Sequence, residues 1–212
     1  AVLVRQAGQV ILALGRDGSL SHAHALGEDD GEDLGAHSSQ ILTTIHAAEG
    51  DPRFAFAVFK VSALSDNDLL EDKGRGERLS TEREAAWQRV EDRVSTLCRE
   101  AADRGGRIMI DAEETWLQDA IDDLAEAMMR NHNRERCVVF TTAQLYRHDR
   151  LAYTQGLEDR ARNEGWIAGI KLVRGAYMEK ERARAEERGY PSPIHHDKAA
   201  VDADFDASLV YC

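Results

Sequence analysis

Residues 107–129 read RIMIDAEETWLQDAIDDLAEAMM, a short apolar run followed by a long amphipathic one. The short run predicts a strand over residues 107–111. Beyond it, one helical face is predicted to carry Trp116, Ala120, Ile121, Leu124 and Met128. Thr115 and Gln118 have the spacing of a capping box and predict where that helix begins. A strand followed directly by a helix is the unit from which parallel sheets are built.

Three further units of this kind occur along the chain. Strands are predicted at residues 54–61, 137–141 and 167–173. The helices that follow them are predicted to begin at Thr81, to span residues 144–164 and to span residues 177–188, and a last helix is predicted at residues 202–210. Thr81 and Glu84 form a second capping-box pattern. The face of that helix is predicted to carry Trp87, Val90, Val94, Leu97, Cys98 and Ala101.

The first 50 residues carry weaker patterns. Residues 27–35 are rich in Gly, Asp and Glu and predict a solvated loop, whereas residues 38–48 predict a helix that ends at Gly50. A weak first strand is predicted at residues 21–26. We therefore divide the chain into a divergent N-terminal lead, residues 1–37, and a partial barrel, residues 38–212.

Polar residues at the ends of the predicted strands favour a closed barrel over an open sheet. No glycine-rich dinucleotide or triphosphate loop follows any strand. Instead the strands end in or near Lys60, Asp111, Gln144 and Lys171. Active sites of (β/α)8 barrels are built from several strand ends at once. The sequence therefore predicts an α/β protein with a (β/α)8 TIM-type barrel that is incomplete, with about five strands present.

Composition excludes several classes of function. The 27 Lys and Arg residues are outnumbered by 39 Asp and Glu, which argues against a nucleic-acid-binding surface. No apolar stretch approaches the roughly 20 residues that cross a bilayer, and no signal peptide is evident. The three cysteines are widely spaced, and the pair His195-His196 has no third ligand nearby in sequence, so no metal site is predicted. We expect a protein that is not secreted.

Several residues have two interpretations when taken one at a time. Lys60, in an otherwise apolar strand, either pairs with an anion or extends from a strand end into solvent. Asp111 can pair with a lysine of a neighbouring strand, whereas Glu113 and Glu114 are interpreted as favouring the positive end of a helix. The charged run at residues 147–150 is interpreted as a solvated helix end.

Long motifs in a fixed order carry a resemblance to a known family. KLVRGAYMEKERARA (residues 171–185) and GYPSPIHHDKAAVDADFDASL (residues 189–209) closely resemble proline dehydrogenases, especially their eukaryotic-like branch. IDAEETWLQDAID (residues 110–122), TTAQLYRHDRL (residues 141–151) and FKVSALSDNDLLE (residues 59–71) resemble the same family in the same order. The resemblance covers residues 38–212.

The resemblance implies a flavin-linked barrel that oxidises L-proline to Δ1-pyrroline-5-carboxylate, with hydride transfer to FAD and electron transfer to quinone. It implies that Lys60 contacts the proline carboxylate, that Asp111 lies beside the flavin and that Lys171 is a catalytic cation near it. Gln144 is expected to hydrogen-bond the flavin ring. The segment expected to lie along the FAD, together with Lys171, consists of Val173, Gly175, Ala176 and Tyr177. A cation beside the ring would stabilise the negative charge that develops there.

The resemblance also has gaps. The family's later strands supply paired arginines and a tyrosine that hold the substrate, and the sequence has no counterpart of them, so we expect the chain to be incomplete. The expected partners are L-proline and a quinone or other acceptor, with peripheral membrane contact by the full-length protein, and the expected location is bacterial cytoplasm or the mitochondrion. Two alternatives stay open: a non-catalytic truncated paralogue, and a barrel aldolase or lyase with Lys60 or Lys171 as a Schiff-base nucleophile.

Overall fold

A computed structural model describes residues 2–6, 9–13, 31–51 and 53–212 of the chain. The strands in these ranges are Val2–Gln6 (β1), Gln9–Ala13 (β2), Ala57–Phe59 (β3), Ile108–Ile110 (β4), Val139–Gln144 (β5) and Ile170–Val173 (β6). The helices are Gly31–Ala47 (α1), Asn67–Gly74 (α2), Thr81–Asp103 (α3), Thr115–His132 (α4), Arg150–Glu164 (α5), Met178–Arg188 (α6) and Lys198–Tyr211 (α7). No helix within the described ranges is long and apolar enough to cross a membrane.

Four strands form a parallel sheet in the order β3-β4-β5-β6. Each strand neighbours the next one in the chain, and helices connect them, which is the arrangement of consecutive βα units in a barrel. The predicted α/β class and incomplete barrel are therefore confirmed. Of the roughly five strands expected, four lie in this sheet, and the weak strand expected at residues 21–26 lies outside the described residues.

The remaining two strands form a hairpin that the sequence analysis did not predict. β1 pairs with β2 in antiparallel register, with Val2 opposite Ala13 and Gln6 opposite Gln9. This hairpin is not hydrogen-bonded into the four-stranded sheet. It therefore does not supply the missing parallel strand.

The core lies between the sheet and the helices that follow its strands. All six predicted positions on α3 are buried, which confirms the predicted face. On α4 the predicted positions Ala120, Ile121, Leu124 and Met128 are also buried, whereas Trp116 is only partly buried. The apolar period of three to four residues fixes which side of these helices is removed from water.

The capping box predicted for α3 is wrong by one residue. The cap is Ser80, whose side chain accepts a hydrogen bond from the Arg83 backbone N–H at 3.3 Å. Thr81 is instead the first helical residue. Ser and Thr are both good caps, so adjacent candidates cannot be separated by residue type alone.

The capping box predicted for α4 is also wrong. The helix begins at Thr115 after Glu114, and Glu114 forms no side-chain cap. The Gln118 Oε1 atom instead accepts a hydrogen bond from the backbone N–H of Glu113 at 2.8 Å. A different residue, on another helix, binds the start of α4, as described below.

The third βα unit has a longer strand and a shorter helix than predicted. β5 extends to Gln144, which lies opposite Val173, and the Leu145 N–H still donates to the Val173 carbonyl at 2.9 Å. Because these sheet bonds hold residues 141–145 extended, α5 begins only at Arg150. The predicted helix start at Gln144 is therefore wrong, and Gln144 belongs to the strand itself.

Two helices near the N-terminus also differ from the prediction. α1 begins at Gly31, so the loop predicted at residues 27–35 is wrong for its last five residues, and residues 27–30 lie outside the described ranges. Packing of Ile41 and Ile45 against the core holds the helix, which extends back through residues of weak preference. α2 was not predicted, because its cap Asp66 and the acidic residues around it have the composition of a loop.

Asn133, at the end of α4, ties together the edge of the sheet where its parallel strands begin. Its buried side chain accepts from the backbone N–H groups of Val138 and Val139, both at 2.9 Å. Its Nδ2 donates to the carbonyls of Val139 and Ile167 at 2.8 and 2.9 Å. One amide thus satisfies four backbone groups that would otherwise be buried without partners.

Candidate active site

The carboxyl ends of the four parallel strands bring the predicted residues to one edge of the sheet. Lys60 follows β3 directly, Asp111 follows β4 and Gln144 ends β5. Lys171 lies within β6, opposite Thr142 of β5. Parallel strands begin and end together, so side chains far apart in sequence meet here.

Asp111 and Lys171 form an ion pair at this edge. The Lys171 Nζ atom lies 2.7 Å from Asp111 Oδ1, and both side chains are mostly but not fully buried. The Thr142 hydroxyl and the Ala112 backbone N–H also approach Oδ1, at 3.1 and 3.2 Å. Three donors therefore converge on one oxygen, and within the described part of the chain Oδ2 has no hydrogen bond. That oxygen is available to a ligand.

Lys60 is hydrogen-bonded to Tyr177, which precedes α6. The Lys60 Nζ donates to the Tyr177 hydroxyl at 2.8 Å. Partial burial by itself would lower the pKa of Lys60, but the bond to Tyr177 and the negative charges of Glu113 and Asp111 outweigh it and raise the pKa above its ordinary value. Lys60 therefore presents a positive charge at neutral pH.

Tyr177 adopts a backbone conformation that non-glycine residues rarely occupy. Its φ is 52°, and it is the only non-glycine residue with positive φ in the described ranges. Left-handed backbone costs a non-glycine residue roughly 1–2 kcal/mol, and such strain persists where surrounding contacts enforce it. The turn before it, at Gly175 and Ala176, is exposed. A Cβ on Gly175 would meet only Met178 Sδ, at 3.6 Å, so packing within the chain does not itself require glycine there.

Gln144 is buried, and its amide is held by three neighbours. Its Nε2 donates to the Glu113 carbonyl at 2.6 Å and to the Tyr146 hydroxyl at 2.9 Å. Its Oε1 accepts from Arg147 at 3.4 Å, a long bond. Both N–H groups are therefore in use, and the oxygen is the part of the amide with capacity left to accept another hydrogen bond.

A comparison with known families decides the assignment. A family model described as "Proline dehydrogenase" matches residues 14–212. The chain belongs to the proline dehydrogenase family. The resemblance stated from the motifs is confirmed.

Individual relatives of this chain are also named proline dehydrogenases. The chain is 40% identical over 154 residues to "Proline dehydrogenase 1, mitochondrial" of Caenorhabditis elegans, a match that covers 73% of this chain and 24% of the relative. It is also 40% identical over 134 residues to the protein of the same name from Homo sapiens, covering 63% of this chain and 22% of that relative. The chain thus spans about a quarter of the length of these relatives.

Solved structures support the fold. A structure described as "Structure of Proline Utilization A (PutA) from Corynebacterium freiburgense" matches with a TM-score of 0.69 and 22% identity, covering 88% of this chain and 19% of that one. The PutA of Bdellovibrio bacteriovorus inactivated by N-propargylglycine matches with a TM-score of 0.68 and 20% identity, covering 85% of this chain and 20% of that one. The backbone arrangement is therefore similar to that of part of these proteins.

The interpretation of residues 147–150 as a solvated helix end is wrong for its two arginines, whereas His148 and Asp149 are exposed. Arg147 is 5% exposed and Arg150 is 4% exposed. Both guanidinium groups bind Asp149, and Arg150 also binds the buried Asp122 of α4. Burial alone would raise the pKa of Asp149, but the two arginines outweigh it and hold that pKa below its ordinary value. Asp122 lies among the buried residues of α4, and this position was the feature of the sequence that could have indicated a buried cation.

The two glutamates after Asp111 do not simply favour the helix end, so that interpretation is wrong as well. Glu113 is 3% exposed; its Oε1 accepts from the Ser62 N–H at 2.9 Å, and its Oε2 accepts from the Ser62 hydroxyl. Burial raises the pKa of Glu113, and the bonds from Ser62 and the charge of Lys60 counter this only in part. Glu114 pairs with Lys180 of α6.

The histidines of the Pro-flanked loop form a small cluster with His148, and the loop is bound to the residues that follow β5. His195 Nε2 lies 2.8 Å from Asp204 Oδ2, and the ring of His148 stacks edge-on to His195 with centroids 4.5 Å apart. Among the residues that the structure describes, no group of three or more His, Cys, Asp or Glu side chains is arranged to hold a metal ion.

Proposed function

We propose that this chain supplies one side of a site that oxidises L-proline to Δ1-pyrroline-5-carboxylate with FAD. The observation that carries the proposal is the convergence of two lysines and an aspartate on one strand-end edge, with Lys171 paired to Asp111 and Lys60 to Tyr177. Membership of the proline dehydrogenase family supports it. The chain covers only part of its relatives, so the reaction belongs to the full-length protein.

The chemistry of the donor set at this edge fits a flavin. Lys171 offers a cation, Gln144 an amide oxygen, and the exposed Gly175-Ala176 turn allows close approach of a flat group to the backbone. FAD, when bound, accepts the hydride that leaves the proline ring. Val173, Gly175, Ala176 and Tyr177 are proposed to line the cofactor.

Each charged side chain has a distinct role in this proposal. Lys60 attracts the carboxylate of proline, and Tyr177 holds the ammonium group of Lys60 in place. Lys171 would stabilise the negative charge that a bound flavin ring gains on accepting hydride, because a fixed cation in a poorly solvated site needs no reorganisation. Asp111 holds Lys171 in position through a charge-assisted hydrogen bond.

The electron acceptor and location are part of the same proposal. The expected electron acceptor of the full-length protein would be a quinone or another acceptor, reached with peripheral membrane contact. The relatives named above are called mitochondrial. We propose a mitochondrial location in a eukaryote or a cytoplasmic one in a bacterium.

Lys60 argues against the aldolase or lyase alternative. A Schiff-base lysine attacks as a neutral amine, so its pKa must fall towards neutrality. The pKa of Lys60 is raised instead, because Tyr177 and nearby carboxylates outweigh burial. Lys171 is engaged by Asp111. Neither amine is prepared as a nucleophile.

The test is an assay of the purified full-length protein. We expect it to be yellow, to carry FAD and to reduce an artificial electron acceptor when L-proline is added. A folded protein without flavin and without this activity would contradict the proposal and favour the non-catalytic paralogue. Borohydride treatment with carbonyl substrates is the parallel arm, and trapping of a covalent adduct on Lys60 or Lys171 would favour the aldolase instead.

A further inference from the structure

Glu181 is a buried carboxylate between the two loops that carry the proposed site. It lies on α6 and is 1% exposed. Its Oε1 accepts from the backbone N–H of Thr115 at 2.7 Å, and its Oε2 accepts from the Thr115 hydroxyl at 2.5 Å. Burial of an ionised carboxylate is costly unless strong hydrogen bonds offset it. Glu181 therefore occupies a specific position between two helices.

At α4, Glu181 replaces a cap that the local sequence does not provide. The first N–H groups of a helix have no partners within the helix. Glu114 precedes α4 but forms no side-chain cap. A negative charge beside the helix N-terminus is also favoured by the helix dipole. Glu181 thus fixes the start of α4, and with it the loop that begins at Asp111.

At α6, Glu181 is connected to the site through Tyr177. The Glu181 backbone N–H donates to the Tyr177 carbonyl at 2.9 Å. Tyr177 in turn accepts from Lys60 through its hydroxyl. The bond to the Tyr177 carbonyl is the first backbone bond of α6, so the Glu181 side chain acts by anchoring this first turn to the start of α4, with Tyr177 and its partner Lys60 at the end of the turn. Because Tyr177 has a strained backbone, contacts such as these are needed to hold it.

The other contacts around Glu181 are less buried than its bond to Thr115: Lys180 is largely exposed, and the Arg184–Glu71 pair is mostly but not fully buried. Lys180 pairs with Glu114, but its side chain is 62% exposed. Arg184 stacks on Trp116, 4.0 Å from the ring centroid, and binds Glu71 at 2.5 Å. An ion pair with an exposed partner, such as Lys180–Glu114, is screened by water and contributes little to stability. The bond from Glu181 to Thr115 is therefore the central one of this interface.

We propose that Glu181 is a positioning residue that holds Tyr177, and through it the ammonium group of Lys60, at the place where the substrate carboxylate binds. The proposal rests on the proposed proline oxidation. It predicts that Glu181 acts on substrate affinity more than on the chemical step, since its buried carboxylate binds Thr115 and acts only through Lys60, the residue proposed to bind the substrate carboxylate.

The first test is kinetic, in the full-length FAD-bound protein. For Glu181→Ala we expect the KM for L-proline to rise about tenfold, because the contact between Lys60 and the substrate carboxylate weakens and one such contact contributes about tenfold in affinity. We expect kcat to change by less than about threefold. Glu181→Gln keeps an oxygen that can accept from the Thr115 N–H and should recover part of the loss. Glu179→Ala, an exposed residue in the same helical turn, should leave both constants unchanged.

A double-mutant cycle separates positioning from general stability. In a Tyr177→Phe background the bond to Lys60 is already absent, so Glu181→Ala should change KM by less than about twofold. The melting temperature should still fall in both backgrounds. An equal rise in KM in both backgrounds would overturn the proposal.

Chemical labelling tests the coupling without reference to activity. We expect Glu181→Ala to increase the acetylation rate of Lys60 about threefold or more, measured by mass spectrometry, while exposed Lys198 is labelled as before. Unchanged labelling of Lys60 in a folded variant overturns the coupling. A flavin-containing wild-type protein that does not oxidise proline, but whose Lys60 labelling responds to Glu181→Ala, overturns the proposed function alone.

Discussion

The two edges of the same four-stranded sheet use polar side chains in opposite ways. At the edge where the strands begin, Asn133 is fully buried, and its four bonds of 2.8 or 2.9 Å all go to backbone groups. At the edge where the strands end, Lys171 and Asp111 bind each other and remain partly exposed. Backbone partners leave Asn133 nothing to offer a ligand. Side-chain partners with exposed faces leave Lys171 and Asp111 able to bind one.

We infer from this contrast that Asn133 serves the fold, whereas the Lys171–Asp111 pair serves the proposed site. Both edges contain hydrogen-bonded polar groups, so burial or bonding alone would not separate them. Substitutions at the first edge should change stability, and substitutions at the second should change activity. Such a division is general for barrels, whose active sites lie at the strand carboxyl ends.

Removal of Asn133 should have the largest effect. We expect Asn133→Ala to lower the free energy of unfolding by about 4 kcal/mol or more, since it leaves four buried backbone groups without partners at about 1–3 kcal/mol each. Chemical denaturation of the full-length protein measures this. Asn131→Ala, exposed in the same helical turn, should cost less than about 0.5 kcal/mol. Equal effects of the two variants would contradict the structural role of Asn133.

Gly169 tests the same edge by steric means. A Cβ there would lie 2.4 Å from the Val139 carbonyl oxygen and 2.7 Å from Cys137 Sγ. We expect Gly169→Ala to cost about 3 kcal/mol, because backbone of the adjacent strand cannot move away without loss of sheet bonds. Gly35→Ala, in α1 with open space around it, should instead stabilise by about 0.5–1 kcal/mol. A stable Gly169→Ala protein would contradict this close approach.

Lys171 tests the other edge. We expect Lys171→Met to lower kcat/KM for L-proline by about 100-fold, about 2.7 kcal/mol of transition-state stabilisation, with little change in melting temperature. Lys171→Arg should keep most of the activity, because it keeps the charge. Lys198→Met, at an exposed lysine, is the control. If Lys171→Met lowered stability and left kcat/KM unchanged, the pair with Asp111 would be structural.

Substitution of Glu113 should give the smallest effect. It tests whether a buried polar residue at the strand-end edge affects stability. Its pKa is raised by burial, so its ionised form is less favourable in the folded protein than in the unfolded chain. Its contribution to stability is therefore present below the ordinary pKa and lost as pH rises through the raised value. We compare the melting temperature of Glu113→Gln with that of the wild type at two pH values. The difference should favour the variant more at about pH 7 than at about pH 4. The same difference at both pH values would contradict the raised pKa.

Sequence patterns were sufficient for elements with a regular period. The six buried positions of α3 follow from apolar spacing, because a helix repeats every 3.6 residues. The order of βα units and the position of Lys60 and Asp111 at strand ends follow equally well. The family motifs then gave each of these residues a proposed role. The division of the chain at residues 37 and 38 stays a prediction.

Contacts between distant elements could not be predicted in the same way. The burial of Arg150 depends on Asp122, which lies on a helix before β5. The cap that Glu181 provides for α4 joins residues 66 positions apart. A local pattern of charges resembles a solvated surface until the partner element is known. The burial of such charged runs could not be predicted from the sequence, because their partners lie on distant elements of the chain.

Local sequence patterns were enough to establish that this chain alternates strands and helices, belongs with proline dehydrogenases and carries polar residues at its strand ends. Periodicity and motif order are local properties of the chain, which is why they can be recognised without coordinates. Only the tertiary structure decided that Lys60 binds Tyr177, that Lys171 binds Asp111 and that Glu181 joins the two loops. Those pairings depend on parallel strands that align their ends in space.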